Sequence, residues 1–307
     1  MNADTITLGN VDITRVVEWS GPVGTGAGLV PGAPAELWRE HRPWLEPDFW
    51  SAEDDTWFGT MQTWVVRSEG RTLLVDTGVG NGRERPSMPH FSGMRTDFLG
   101  RLRYAGVRPE DVDVVVNTHI HFDHVGWNTR WDGGGWVPTF PNATYLIPRA
   151  DRLRFDPAEQ GREPSPRNND DLVFQDSIAP VLRADQAVLW EDQYRLDGSL
   201  TLRTAPGHTP GSSVLHLSSG SDRAVFVGDM VHSPVQVVRP EFSSCFCEDP
   251  AGAAASRRRV LGEAADTRAL VIPAHFPGHG AAEVRHDGAD FALANWAAWP
   301  APKPGPA

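Results

Sequence analysis

Alternating hydrophobic and polar positions predict two β-hairpins in the first part of the chain. The alternation across residues 5–17 is interrupted by a Gly-Asn pair, which is typical of a hairpin turn. The runs 61–67 and 71–76, separated by a Glu-Gly turn, predict a second hairpin. Residues 20–60 are rich in Gly, Pro and Trp and show no clean period, so we expect a long ordered excursion between the hairpins.

Short apolar runs alternate with helical segments over the rest of the chain, which indicates an α/β fold of packed layers. The predicted strands are 112–116, 144–147, 200–204, 213–217, 224–227 and 270–272. The predicted helical segments are 95–105, 250–265 and 281–299, and the proline-rich tail 300–307 is expected to fray. No repeat of fixed period is present. We therefore predict a single domain over 1–307 that includes the excursion.

The charge balance and the lack of long apolar runs narrow the classes of partner. The formal charge of −12 opposes binding to a phosphate backbone, so no nucleic-acid partner is expected. No stretch of about 18 apolar residues occurs, and the first residues lack a signal-peptide pattern. We expect a cytoplasmic protein that makes no membrane contact, with Cys245 and Cys247 as reduced thiols.

Candidate metal ligands are concentrated at 118–124, which reads Thr-His-Ile-His-Phe-Asp-His directly after a predicted strand. His119 and His121 can direct two imidazoles at one ion, and Asp123 with His124 can direct ligands at a second. Mixed nitrogen and carboxylate ligands suit zinc, and also manganese, iron or cobalt. Three histidines and one aspartate at this spacing are improbable by chance, since the chain has only eleven histidines.

This segment resembles the His-x-His-x-Asp-His signature of the metallo-β-lactamase superfamily. Segments 73–78, 204–212, 227–229 and 272–277 resemble four further motifs of that superfamily, in the same order. Each of these is weak alone, but the ordered set is specific. The resemblance implies an αββα sandwich, in which two mixed β-sheets are flanked by helices and the metals lie at one edge of the paired sheets.

Carried onto this sequence, the resemblance implies a complete dinuclear centre with two Zn²⁺ ions. The implied ligands are His119, His121 and His208 for one ion, Asp123, His124 and His275 for the other, and Asp229 as the bridge. Asp76 would orient a ligand histidine. His279 is an alternative last ligand, but His275 is favoured because it follows the apolar run 270–272 more closely.

The chemistry implied by such a centre is hydrolysis. Two cations that share one water molecule lower its pKa from about 15.7 toward about 7, which supplies a nucleophile at neutral pH. Asp123 and Asp229 are catalytic candidates as well as ligands. His232 is a third candidate, because acyl-homoserine lactonases of the superfamily carry a tyrosine three residues after the bridging aspartate. A substrate-side role and a structural role both stay open for it.

Within the superfamily, the chain resembles the branch of quorum-quenching lactonases and methyl-parathion-hydrolase-like enzymes. This resemblance rests on Trp127, just beyond the signature, and on the His-Phe-Pro-x-x-Gly sequence of residues 275–280. It implies a small-molecule substrate with an ester or lactone bond, such as an N-acyl-homoserine lactone. The alternatives are a phosphotriesterase and a mononuclear-iron oxidoreductase that resembles persulfide dioxygenases.

Aromatic residues of the excursion are the predicted substrate wall. Together with Trp127, the candidate substrate-binding residues are Trp38, Trp44, Trp50 and Trp57. An aromatic-rich segment can line an apolar pocket for an acyl chain or an aryl group. The alternative is that these rings fill the core or a subunit interface, which leaves a homodimer open.

Overall fold

The computed structural model describes residues 4–297 and residue 299, and its strands and helices alternate as predicted. The predicted fraying of the tail 300–307 lies outside these residues. The strands are β1 (Thr5–Leu8), β2 (Val11–Thr25), β3 (Trp50–Ser51), β4 (Thr56–Ser68), β5 (Arg71–Val75), β6 (Val114–Val116), β7 (Thr129–Trp131), β8 (Trp136–Pro138), β9 (Thr144–Pro148), β10 (Ala187–Trp190), β11 (Gln193–Arg195), β12 (Leu200–Thr204), β13 (Ser213–Ser219), β14 (Asp222–Gly228), β15 (Leu270–Pro273), β16 (Ala282–Asp287) and β17 (Asp290–Trp296).

The helices are mostly short. They are α1 (Gly26–Leu29), α2 (Ala35–Glu40), α3 (Arg42–Leu45), α4 (Phe98–Tyr104), α5 (Arg149–Phe155), α6 (Asn169–Val173), α7 (Ala179–Arg183), α8 (Val235–Val238) and α9 (Pro250–Thr267). The longest, α9, begins where Asp249 caps the backbone N–H of Gly252, and it ends at Arg268 in the left-handed conformation. Within the described part of the chain, no helix is both long and apolar enough to cross a membrane.

The strands form two large mixed sheets and one small sheet, and the expectation of two mixed β-sheets is thereby confirmed. The first large sheet has the order β1-β2-β4-β5-β6-β9-β10, with β3 beside β4, and its strands from β5 to β10 are parallel. The second has the order β11 to β17 in sequence, and β14 and β15 form a parallel pair among antiparallel ones. Strands β7 and β8 pair separately.

Two compact units can be distinguished within the chain. Unit 1 comprises Met1–Trp19 and Met61–Thr204, and unit 2 comprises Ser20–Thr60 and Ala205–Ala307. Each has its own hydrophobic core: unit 1 packs α4 against buried residues of β5, β6 and β9, and unit 2 packs α9 against β14, β15 and β16. The single-domain organisation stays a prediction.

The end of the described chain differs from the sequence prediction. A helical segment was expected over 281–299, but β16 and β17 form an antiparallel hairpin there, with Gly288 at a φ of 64° in the turn. The alanine content of the segment favours a helix, whereas pairing with β15 buries alternate side chains such as Val284. Tertiary pairing therefore outweighs local propensity.

The excursion 20–60 is ordered, as predicted, and carries α1, α2, α3 and β3. Three of its tryptophans, Trp38, Trp50 and Trp57, are buried in the core of unit 2, and Trp44 is partly buried against that core. The indole N–H of Trp50 donates to Asp55 at 2.7 Å. This burial agrees with the alternative in which the tryptophan rings fill the hydrophobic core. A substrate-binding role for the four residues stays a prediction.

Truncation of a core tryptophan should lower stability more than truncation of Trp44. For Trp38→Ala we expect a loss of about 3–5 kcal/mol in the free energy of unfolding, because the buried ring leaves a large cavity. Trp44→Ala should cost less, since its ring is only partly buried. Urea unfolding of both variants, with catalytic efficiency toward a short and a long substrate, checks this. Unchanged stability in Trp38→Ala with a selective loss for the long substrate would favour the substrate-wall role.

Candidate metal centre

The signature segment of unit 1 leaves the sheet at the end of β6. This short strand is buried and lies between the parallel strands β5 and β9. A loop that leaves the carboxyl end of such a strand is a common place for a binding site in an α/β sheet. His119, Asp123 and His124 are buried, and His121 is partly buried.

Within unit 1, the candidate ligands form two pairs. His119 Nε2 lies 3.0 Å from His121 Nδ1. Two nitrogens that each lie about 2.0 Å from a tetrahedral zinc ion are separated by roughly 3.3 Å, so this pair converges as two ligands of one ion do. In the second pair, His124 Nε2 lies 3.8 Å from Asp123 Oδ1. The pairing is the one that the sequence motif predicts.

Asp76 fixes the orientation of one of these rings. Its Oδ2 lies 2.8 Å from His124 Nδ1 and accepts a hydrogen bond from Thr118 Oγ1, while its Oδ1 accepts from the Thr118 backbone N–H. Asp76 itself has a φ of 56°, in the left-handed region that non-glycine residues rarely adopt. The ring is thereby held with Nε2 directed away from Asp76, which is the arrangement that metal-binding histidines use.

His208 of unit 2 lies in the loop between β12 and β13. The preceding Gly207 has a φ of +134°, and a Cβ on it would lie 2.0 Å from the backbone nitrogen of Ala253. Only glycine permits this close approach to the first turn of α9. The Glu248 backbone N–H donates to the His208 carbonyl at 3.0 Å, which fixes the loop from the other side.

Asp229, at the end of β14, has a histidine beside each carboxylate oxygen. Oδ2 lies 3.2 Å from His208 Nε2, and Oδ1 lies 2.9 Å from His275 Nε2. Burial opposes protonation of His208, but the adjacent Asp229 carboxylate outweighs it and raises the pKa of that imidazole to about 9. Each oxygen of this carboxylate therefore lies beside a different imidazole.

The structure brings His275, rather than His279, to Asp229. His275 Nδ1 lies 3.0 Å from the Thr60 carbonyl oxygen, and the Thr60 N–H donates back to the His275 carbonyl. His279 Nδ1 instead lies 2.8 Å from the Trp299 carbonyl oxygen, and its ring stacks with Trp296. The geometry therefore favours the histidine nearer to the apolar run.

His232 is buried beside the same carboxylate. Its Nε2 lies 3.1 Å from Asp229 Oδ2, and its ring stacks with His275 at 5.6 Å. Burial lowers the pKa of His232 to about 4. Asp229, His232 and His275 form a group whose donor atoms lie within 4.8 Å of one another, close enough to share a metal ion.

The histidines of both units satisfy a chemical test for metal binding. A metal-binding histidine normally engages its second ring nitrogen with an oxygen or another acceptor. The Nδ1 atoms of four candidates have such neighbours: Thr118 Oγ1 for His119, Asp76 for His124, Cys247 Sγ for His208 and the Thr60 carbonyl for His275. Buried imidazole and carboxylate donors of this kind fit a divalent transition metal.

Trp127 lies in the core of unit 1. Its indole N–H donates to Glu18 Oε1 at 2.7 Å, and its ring stacks on Phe98. Burial raises the pKa of Glu18, while hydrogen bonds from Trp127, Val79 and Thr96 oppose that rise. These contacts occupy both the polar edge and a face of the indole. They give it a structural role, and substrate contact by Trp127 stays a prediction.

Other residues near these groups were not anticipated from the sequence. Arg257 of α9 is fully buried, and its Nε donates to the carbonyl of Met230, the residue after Asp229, at 2.7 Å. Cys247 Sγ lies 3.8 Å from His208 Nδ1. An arginine inside a helix and an isolated Cys-x-Cys pair carry no local signal for these contacts, because the partners are distant in sequence.

The match to a sequence family decides the assignment. A profile of the Metallo-beta-lactamase superfamily matches residues 58–275, more than half of the chain. The chain belongs to the metallo-β-lactamase superfamily. This confirms the resemblance inferred from the motifs and their order.

Individual relatives of the chain are hydrolases of this superfamily. The acyl-coenzyme A thioesterase MBLAC2 of Bos taurus is 29% identical over 202 residues, which cover 64% of this chain and 67% of the relative. The N-acyl homoserine lactonase AttM of Azorhizobium caulinodans is 31% identical over 166 residues, which cover 48% of this chain and 55% of that lactonase. The prediction of a hydrolase is confirmed at this level.

Solved structures show the same fold. AidC, a dizinc quorum-quenching lactonase in complex with a hydrolysis product, matches with a TM-score of 0.76 at 22% identity, covering 96% of this chain and 97% of the other. The hydrolase AbOPH matches with a TM-score of 0.76 at 22% identity, covering 95% and 97%. The expected sandwich of mixed sheets and flanking helices is therefore confirmed.

Proposed function

We propose that this protein is a dinuclear metal-dependent hydrolase that cleaves the acyl bond of a small ester or lactone. The observation that carries the proposal is the position of Asp229, whose two carboxylate oxygens lie beside two different histidine Nε2 atoms. With a histidine beside each oxygen, Asp229 would offer one oxygen to each of two ions, which supports a dinuclear centre.

The proposed ligand set is the one that the family resemblance implies. Its members are His119, His121, Asp123, His124, His208, Asp229 and His275. The pairs His119–His121 and Asp123–His124 of unit 1 support it, and so, within unit 2, do the contacts of Asp229 with His208 and His275. We propose Zn²⁺ for both positions, since histidine nitrogen and carboxylate oxygen are its usual ligands.

The residues of the chain have separate tasks in the proposed reaction. When bound, the ions would lower the pKa of water and polarise the substrate carbonyl. Asp123 would accept a hydrogen bond from the attacking water and hold it in line with the carbonyl carbon. Asp76 would keep the His124 ring in its orientation through the 2.8 Å contact. We place His232 on the substrate side, because its ring lies between Asp229 and the exposed Phe246.

Thioester hydrolysis is a second candidate. The sequence motifs do not indicate it, but the similarity to acyl-coenzyme A thioesterase MBLAC2 favours it. Lactones, esters and thioesters share an acyl carbonyl, so the same groups serve all three. The phosphotriesterase alternative shares the same ligand groups. The mononuclear-iron oxidoreductase alternative needs only two histidines and one carboxylate, and it leaves His124 and His275 without a role.

A substrate panel combined with metal analysis tests the proposal. The purified protein should contain about two zinc ions per chain and should hydrolyse an N-acyl-homoserine lactone, an aryl ester or an acyl thioester. Removal of the ions by a chelator should abolish the activity, and added zinc should restore it. One iron per chain with no hydrolysis of any member of the panel would reject the proposal in favour of the oxidoreductase. Turnover of a phosphotriester alone would favour the phosphotriesterase.

A further inference from the structure

Phe246 is an exposed aromatic residue that lies beside His232 in unit 2. The residue is 36% exposed, and its ring lies 5.8 Å from the His232 ring, with 36° between the planes. His232 in turn contacts Asp229. Ligand pockets combine aromatic side chains with a few polar groups, and Phe246 beside His232 is such a combination.

The chain on both sides of Phe246 is fixed by hydrogen bonds. On one side, the Cys245 backbone N–H donates to the Leu29 carbonyl at 2.8 Å. On the other, the Cys247 backbone N–H donates to the Ser244 carbonyl, and Cys247 Sγ lies 3.8 Å from His208 Nδ1. The ring is therefore presented at a defined position, which reduces the entropy lost when a ligand packs against it.

Arg257 attaches the start of this segment to the loop that carries Asp229. Its Nη1 donates to the carbonyls of Pro240 and Phe242, and its Nε donates to the carbonyl of Met230. One buried guanidinium thus holds both the residue after Asp229 and the approach to Phe246. A rigid connection of this kind keeps an aromatic ring at a constant distance from the reacting groups.

We propose that Phe246 determines specificity by contacting the apolar part of the substrate, an acyl chain or an aryl group, next to His232. This inference rests on the proposed function, and it names the substrate class of the same site. The tryptophans of the excursion point to the same conclusion, because Trp38, Trp50 and Trp57 are packed into the core, whereas the Phe246 ring retains exposed surface.

The test compares Phe246→Ala with the wild-type enzyme on a matched pair of substrates, N-butanoyl- and N-decanoyl-homoserine lactone. We expect kcat/KM for the decanoyl substrate to fall about tenfold, because the long chain loses apolar contact, and kcat/KM for the butanoyl substrate to change less than about twofold. Phe246→Leu should retain most of the long-chain efficiency. Metal content should stay the same in both variants.

Tyr104→Ala is the control, because it removes another exposed ring, 61% accessible, from a helix of unit 1. It should leave the ratio between the two substrates unchanged. Equal losses for both substrates in Phe246→Ala, or no loss for either, would overturn the inference. If the wild-type enzyme hydrolyses neither these lactones nor any other member of the substrate panel, the proposed function fails separately. Calorimetric binding of N-decanoyl-homoserine to the wild-type protein and to Phe246→Ala then tests Phe246, and equal affinity of the two proteins would overturn the inference.

Discussion

His121→Ala is expected to strip one metal ion from the protein and to abolish hydrolysis. His121 Nδ1 lies 3.0 Å from His119 Nε2, and we propose that both nitrogens bind the same ion. Loss of a residue that merely orients a ligand costs about 10- to 100-fold in metal affinity or activity, so loss of a ligand should cost more than about 100-fold in kcat/KM. Elemental analysis of the purified variant and steady-state kinetics measure the two effects.

His286→Ala is the matched control, because His286 is exposed on β16 and contacts only Asp266 among the ion pairs described. It should retain both metal and activity. Thermal unfolding of the His121→Ala protein should show a cooperative transition, so that lost activity reflects lost metal rather than lost fold. Near wild-type turnover with an unchanged metal content would show that His121 is not a ligand.

Much of the fold could be predicted because its strongest signals are local. The hairpin of β1 and β2 turns at a Gly-Asn pair, and α9 begins at an Asp-Pro cap, so neither depends on distant contacts. Strands β16 and β17 could not be predicted in the same way. Their alanine-rich sequence favours a helix, and only pairing with β15 specifies a strand. Family resemblance supplied the sheet arrangement, which no local pattern contains.

In the candidate site too, contacts between residues close in sequence could be predicted, whereas contacts between distant residues could not. The spacing of His119, His121, Asp123 and His124 is local, so the two unit 1 pairs follow from the sequence. The partners that orient the unit 2 histidines are not local. Cys247 is 39 residues from His208, and Thr60 is 215 residues from His275. Nothing in a Cys-x-Cys pair or in a strand threonine specifies such a contact before the chain has folded.

The burial of the excursion tryptophans shows a related limit. Four tryptophans within twenty residues fit a substrate wall and a core equally well, because a segment without a clean period does not define a buried face. Short helices and β3 supply that face only once they pack within unit 2, where Trp38, Trp50 and Trp57 are part of the core. The tryptophan content of the excursion shows that a large apolar surface must be covered, but it does not show whether the protein core or a substrate covers it.

His275→Ala and His279→Ala are expected to differ sharply, although only four residues separate the two positions. His275 Nε2 lies 2.9 Å from Asp229 Oδ1, so His275→Ala should remove one ligand of an ion that Asp229 also binds. We expect this variant to retain about one of two zinc ions and to lose more than about 100-fold in kcat/KM. His279→Ala should retain both ions, because its ring contacts Trp299 and Trp296.

The two variants are matched controls for each other, since each removes one imidazole from the segment after β15. His279→Ala should lower the melting temperature modestly, because the partly buried ring loses its stacking and its hydrogen bond. His275→Ala should lose metal even in preparations whose unfolding remains cooperative. Zinc content measured beside unfolding therefore separates a ligand from a packing residue. A reversed pattern, with metal lost only from His279→Ala, would move the last ligand by four residues and would leave Asp229 Oδ1 facing a histidine that binds no ion.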